Sequence, residues 1–228
     1  GDSGAMVMFG YENTTPATME EMLLMTKAVS RGAKKPLLVA DMPFMSYHVS
    51  IEESIRNAGK FVKDSGMHAV KLEGDRDIAK TIRAITKTGI PVMAHIGLKP
   101  QTAKSWDGYK LQGTTYSSAK KLIEDAQELE SAGAFCIVLE MVTKEISKLI
   151  TEHLSIPTIG IGSGQYCDGQ ILVLHDMLNL YDAIKPRFVK QYADLKTETL
   201  NALTNYKEDV VSGNFPDDTH SQSIDYNS

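Results

Sequence analysis

Short, nearly unbroken apolar runs recur along this chain, separated by segments whose apolar positions follow a helical spacing. Five runs read as strands: residues 36–41, 68–73, 90–95, 135–140 and 156–162. Runs with no polar alternation suit strands buried on both faces, as in a parallel sheet covered by helices. The intervening segments carry helix signals. Ser50 with Glu53 reads as a capping box opening a helix to about Asp64 that stops at Gly66. Asp77 is placed to cap a helix ending at Gly89, and Ser117 or Ser118 to open one ending at Gly133. Thr143 starts another that runs to about Leu154 and is stopped before Ile156-Pro157. Strand alternating with helix is the α/β pattern.

Polar residues interrupt this pattern at one kind of place. Asp41, Glu73, His95 and Glu140 each close an apolar run, and the turn Gly160-Ile161-Gly162-Ser163-Gly164 closes a fifth. In a parallel sheet all carboxyl ends lie on one side. In a (β/α)8 barrel that rim is the active-site face; in an open doubly wound sheet only residues beside the switch point meet. The spread over so many strands favours the barrel. The plainer alternative is that acids mark strand-to-loop boundaries, because Asp and Glu disfavour strand interiors. A barrel of this type takes about 250 residues, and this chain has 228. Its opening Gly1-Asp2-Ser3 therefore reads as the carboxyl end of an earlier strand whose body is missing.

Composition narrows the partners. The net charge is −5 and no Lys/Arg block stands out, which argues against a nucleic-acid surface. Cys136 and Cys167 make neither a disulfide framework nor a zinc site, and Cys136 sits in an apolar run as a buried thiol. No apolar stretch approaches a membrane span, so the cytoplasm is the default location. No linker, low-complexity block or composition shift divides the chain before its polar tail, residues 217–228, which reads as mobile.

Acids sharing one rim suggest a hard divalent cation such as Mg²⁺, which takes oxygen ligands and keeps positions open for substrate. Asp2, Asp41 and Glu73 are the candidate ligands, and a cation so held polarises a bound carbonyl. Lys71, two residues before Glu73, shares its face and is placed to hold a substrate carboxylate or simply to neutralise the acids. Glu140 is a candidate general base. His95 reads as a donor to a substrate oxygen, as an orienting group, or as a structural histidine. The glycine turn lacks the Lys-Ser/Thr of a phosphate loop and reads as a tight turn. His175-Asp176, beside Ile171-Leu172-Val173-Leu174, reads as packed and structural, and no nucleophile elbow is present.

Longer blocks carry a specific resemblance. "GDSGAMVMFGYENTT", "VADMPFMSY", "AVKLEGD", "PVMAHIGLKPQTAKSWDGYKLQGTT", "IPTIGIGSGQYCDGQILVLHDML" and "KPRFVKQYADL" follow one another in this order. From residue 1 to about 216 the chain resembles the ketopantoate hydroxymethyltransferase family. The resemblance implies a (β/α)8 barrel of the phosphoenolpyruvate/pyruvate superfamily, assembled as a homodecamer, with the first strand and helix and most of the second strand absent from these residues. It implies one-carbon transfer from 5,10-methylenetetrahydrofolate to 3-methyl-2-oxobutanoate, giving 2-dehydropantoate. It also implies that Asp2, Asp41 and Glu73 hold Mg²⁺, and that Asp2, Ser3, Asp41 and Lys71 hold the keto acid with His95 in the same pocket. Glu140 takes the place of the proton acceptor. Three positions depart from the family pattern. Gly4-Ala5 stand where Leu-Gly is common. Thr114-Thr115 stand where Arg or Gly is frequent, in a loop that could border the folate. Asp75 stands where Gly is common, adding negative charge near the metal or pointing to solvent. Two alternatives share much of this pattern: a Mg²⁺-dependent carbon–carbon lyase of the same superfamily, and a non-catalytic barrel that binds keto acid.

Overall fold

The structure is a computed structural model and describes residues 1–103, 110–183 and 185–224. The chain divides into two compact units, Gly1–Ile171 and Leu172–Ser228.

The first unit is built on a parallel sheet of six strands: β1 (Val39–Asp41), β2 (Ala69–Glu73), β3 (Val92–Gly97), β4 (Cys136–Glu140), β5 (Thr158–Ile161) and β6 (Gly169–Gln170). Their spatial order is their sequence order, β1-β2-β3-β4-β5-β6. Sequential winding without reversal is the order of a β/α barrel; a doubly wound sheet reverses at its switch point. All five predicted strands are present, shorter at their amino ends, and β3 runs on to Gly97.

The helices of this unit are α1 (Gly4–Val7), α2 (Met19–Gly32), α3 (Ile51–Ser65), α4 (Ala79–Thr86), α5 (Tyr116–Ser131) and α6 (Lys144–His153). The Ser50 hydroxyl accepts the Glu53 N–H at 3.1 Å to open α3, and Gly66 closes it at φ +69°. Thr143 and Leu154 flank α6 as expected. Two predicted starts move. Asp77 lies inside a 3-10 turn, Arg76–Ile78, that precedes α4. α5 is capped by Thr115, with Ser118 reaching back to the Thr115 N–H, because the reciprocal box satisfies two terminal donors at once. The sequence pattern left α2 unread, although Thr18 and Glu21 form a full capping box there.

Alternate strand residues divide between two faces. Ala40, Val70, Leu72, Val92, Ala94, Ile96, Ile137 and Leu139 join Met22, Phe61, Ile82, Ile85, Leu129 and Ile150 of the helices in one core. Fully burying each large apolar side chain contributes about 1.5–3 kcal/mol. The intervening positions, including Asp41, Lys71, Glu73, His95 and Glu140, point to the opposite face.

The second unit holds α7 (Leu174–Met177), α8 (Leu195–Ser212) and a 3-10 turn at Asp218–His220. Asp194 caps α8 and Gly213 ends it at φ +74°. Residues 217–224 are exposed; residues 225–228 of the predicted tail lie outside the described residues. Among the described residues no helix is long and apolar enough to cross a membrane.

Candidate active site

Asp41 ends β1, and Lys71 is its register partner on β2. Lys71 Nζ lies 2.6 Å from Asp41 Oδ1 and 3.8 Å from Glu73 Oε1. Glu73 in turn is the register partner of His95 on β3. His95 Nδ1 stands 3.1 Å from Lys71 Nζ and 3.6 Å from Glu73 Oε1. An ammonium only donates, so this ring nitrogen is the acceptor and the hydrogen of the neutral imidazole belongs on Nε2. Nε2 lies 3.2 Å from Glu140 Oε2 at the end of β4, out of line for a hydrogen bond, so this buried N–H lacks a hydrogen-bond partner among the described residues. Asp2 joins through its own backbone, whose N–H donates to Asp41 Oδ2 at 3.1 Å. Asp2, Asp41, Glu73 and His95 are all buried. Ser3 stands at the start of α1, half-buried, with no side-chain capping bond.

Two further residues belong to the cluster and carried no chemical signal in the sequence, although both lie inside the quoted blocks. The Tyr47 hydroxyl accepts the Glu73 N–H at 3.2 Å and donates to Gln101 Oε1 at 2.6 Å. Gln101 donates from Nε2 to Asp2 Oδ2 and to the Met42 carbonyl, each at 2.9 Å, and from its backbone N–H to Glu73 Oε2 at 3.1 Å.

Burial works against the Lys71 charge, but Asp41, Glu73 and Asp2 outweigh it and hold its pKa above the ordinary range. Burial also opposes ionisation of Asp41, yet Lys71 and the Gly1 amino group, with the Asp2 N–H, keep that carboxyl below its usual value. Asp2 receives less compensation. Burial, followed by repulsion from Asp41, pushes it up to about 7. Asp2, Asp41 and Glu73 thus share the Lys71 side-chain ammonium. Among the described residues no three His, Cys, Asp or Glu side chains already converge on one point as metal ligands. The donor chemistry nevertheless fits a hard divalent cation: oxygen ligands, an acid surplus, and a buried Asp41 Oδ1 that touches Lys71 but makes no hydrogen bond.

The departing residue Asp75 neither burdens this cluster nor points freely to solvent. Its two oxygens bind Lys99 at 2.7 Å and Lys121 at 2.5 Å, and Lys121 also meets the fully buried Asp125 at 2.7 Å. The glycine turn is a tight turn, as read. Ser163 points inward, donating to the Leu139 carbonyl at 2.7 Å and accepting the Val142 N–H at 3.0 Å. Thr115 caps α5, while residues 104–109 of the same quoted block lie outside the described residues. In the second unit His175 is half-buried rather than packed in a core, and Leu174 beside it is exposed. A cavity of about 290 Å³ there is lined by Asp176, Tyr181, Lys185 and Arg187 among others, and by none of the predicted site residues.

Residues 1–218 match the ketopantoate hydroxymethyltransferase family. The chain belongs to that family. It is 55% identical over 225 residues to the 3-methyl-2-oxobutanoate hydroxymethyltransferase of Nitrosopumilus maritimus (strain SCM1), covering 99% of this chain and 80% of that relative. With the enzyme of the same name from Syntrophus aciditrophicus (strain SB) it shares 51% identity over 221 residues, 97% of this chain and 81% of the relative. Among solved structures, a 2,3-dimethylmalate lyase of the PEP mutase/isocitrate lyase superfamily superposes with a TM-score of 0.56 at 17% identity, covering 97% of this chain and 74% of that one. A phosphonopyruvate hydrolase gives 0.55 at 13%, covering 98% and 78%. These distant likenesses concern the fold, and they agree with the barrel-type α/β class inferred from strand order. Membership in a hydroxymethyltransferase family makes the chain a transferase.

Proposed function

We propose that this chain transfers a hydroxymethyl group from 5,10-methylenetetrahydrofolate to 3-methyl-2-oxobutanoate, forming 2-dehydropantoate for pantothenate synthesis, with Mg²⁺ as the required metal. Family membership supports the keto acid and the product. The observation that carries the chemistry is the string of close contacts from buried Asp2 and Asp41 through half-buried Lys71 and buried His95 to half-buried Glu140. The family resemblance further supports a decameric, cytoplasmic enzyme.

In this reading Asp2, Asp41 and Glu73 hold the cation, which supplies Lewis-acid polarisation of the keto oxygen. Lys71 is the nearest cation for the substrate carboxylate, which competes with Asp41 for it. Ser3, with its hydroxyl uncommitted to the helix, adds a donor to the same anion. His95 presents its unpartnered Nε2–H toward the space beside Glu140 and so offers a hydrogen bond to a substrate oxygen. Glu140 takes the proton from C3 of the keto acid, and the C–H electron pair moves into the enolate. The enolate carbon then attacks the folate methylene carbon as one of its two carbon–nitrogen bonds breaks; water displaces the second nitrogen and supplies the hydroxyl, and the proton from Glu140 and one from water go to the two released folate nitrogens.

A single-turnover assay with both substrates, in Mg²⁺ or in excess EDTA, tests this. Ketopantoate formed only with metal is the expected result. Proton exchange at C3 without hydroxymethyl transfer would retain Glu140 and discard the folate reaction. A Glu140→Gln variant that exchanged the C3 proton at the normal rate would remove Glu140 from the role of base.

A further inference from the structure

We propose that Gln101, oriented by Tyr47, is a positioning residue that sets the spacing of the Asp2 and Glu73 carboxylates for cation binding; this rests on the metal reading above. Glu73 ends β2, and Asp2 lies 71 residues earlier, just before α1. Gln101 bonds both, with its side chain on Asp2 Oδ2 and its backbone N–H on Glu73 Oε2.

The orientation of this amide follows from its partners. The Met42 carbonyl only accepts, so the NH₂ must face it, and the same NH₂ meets Asp2 Oδ2. The amide oxygen then takes the Tyr47 O–H at 2.6 Å, the shorter of that hydroxyl's two acceptor contacts, the other being the Glu73 carbonyl at 3.1 Å, while the Tyr47 oxygen accepts the Glu73 N–H. A flipped amide would set oxygen against carboxylate and carbonyl at 2.9 Å. The backbone is equally constrained: the Thr102 and Ala103 N–H groups close onto the Lys99 carbonyl at 3.0 and 2.8 Å, and Lys99 is tied to Asp75. Both Gln101 and Tyr47 are buried at 3% exposure, so water cannot substitute for these bonds. Each acid has one oxygen held by Gln101, leaving its other oxygen free of Gln101, Glu73 Oε1 facing Lys71 and His95. Groups that orient metal ligands in this way typically carry 10–100-fold in affinity.

The test uses two variants of the full chain, Gln101→Met and Tyr47→Phe, which closely keep packing volume and remove hydrogen-bonding groups without adding charge. Mg²⁺ affinity is measured by calorimetric titration without substrates, and melting temperature in excess EDTA reports the fold. Asp41→Asn serves as the reference for the metal site itself. The expected result is a loss of Mg²⁺ affinity of about 10-fold or more for Gln101→Met. Tyr47→Phe should show a smaller loss, each beyond what its change in metal-free melting explains. Wild-type affinity in both variants, while Asp41→Asn loses binding, would overturn the positioning role and leave the metal site standing. Wild-type protein that takes up no Mg²⁺, or Asp41→Asn that binds like wild type, would overturn the metal reading and the positioning proposal with it.

Discussion

Asp41 and Lys71 are register partners on adjacent parallel strands, and their charged ends meet at 2.6 Å on the face of the sheet away from the helices. Partners in register share a face and lie one strand spacing apart, roughly 4.8 Å, so the pairing is a direct product of sheet geometry. Glu73, two residues beyond Lys71, repeats the arrangement with His95. The site is thus made of adjacent layers of strand residues, with Glu140 reached at the end of β4.

Removing the ammonium exposes its importance. Lys71→Met leaves the buried Asp41, Glu73 and Asp2 carboxylates without their cation. Breaking a buried pair by deleting one partner costs about 3–5 kcal/mol. Denaturant unfolding of the metal-free variant should show a loss of that order, partly recovered by added Mg²⁺. A loss below about 1 kcal/mol would mean the carboxylates are relieved by protonation or water instead.

Gly97 couples two site strands. It has φ +96°, and a Cβ there would run into the backbone carbonyl oxygen of Glu140, which itself accepts the Leu98 N–H at 2.8 Å. Gly97→Ala should therefore push the end of β4 away and displace Glu140. Backbone strain of this kind costs about 1–3 kcal/mol. The expected signature is a lower melting temperature together with a kcat loss larger than the change in KM for the keto acid. Unchanged kcat in a folded variant would show that Glu140 tolerates the displacement.

Cys136 shares the site face of β4 and is buried at 3% exposure. Burial pushes its thiol up to about 11 from 9.0. The folded state holds this proton more tightly than the unfolded chain does. Its contribution to stability is therefore complete below pH 9 and declines as pH rises from 9 toward 11. Cys136→Ala should flatten the alkaline limb of a stability-against-pH curve. At pH 8 a thiol reagent should label the half-buried Cys167 faster than Cys136; equal labelling rates would contradict the burial of Cys136.

Much of the site was legible because strand ends are legible. The apolar runs closing in Asp41, Glu73, His95 and Glu140 announced both the parallel sheet and the face on which the polar residues meet. Caps at Ser50 and Gly66 were readable because their chemistry is local, whereas Thr143 flanks α6 without a side-chain capping bond. Thr115 was missed in favour of Ser117 or Ser118, since several adjacent hydroxyl residues offer the same cap and only the bonds distinguish them. Asp75 was misjudged because its two lysine partners lie 24 and 46 residues away.

The sequence alone determined the strand-and-helix alternation, the family, and the identity of the charged strand-end residues, because these rest on periodicity, local capping and long specific blocks. Tertiary structure alone decided that Asp41 faces Lys71 and Glu73 faces His95, since register is a relation between segments. It also decided that Gln101 and Tyr47 belong to the cluster. An amide and a phenol carry no distinctive spacing, and they gain their role only where buried carboxylates leave bonds that nothing nearer in the chain can make.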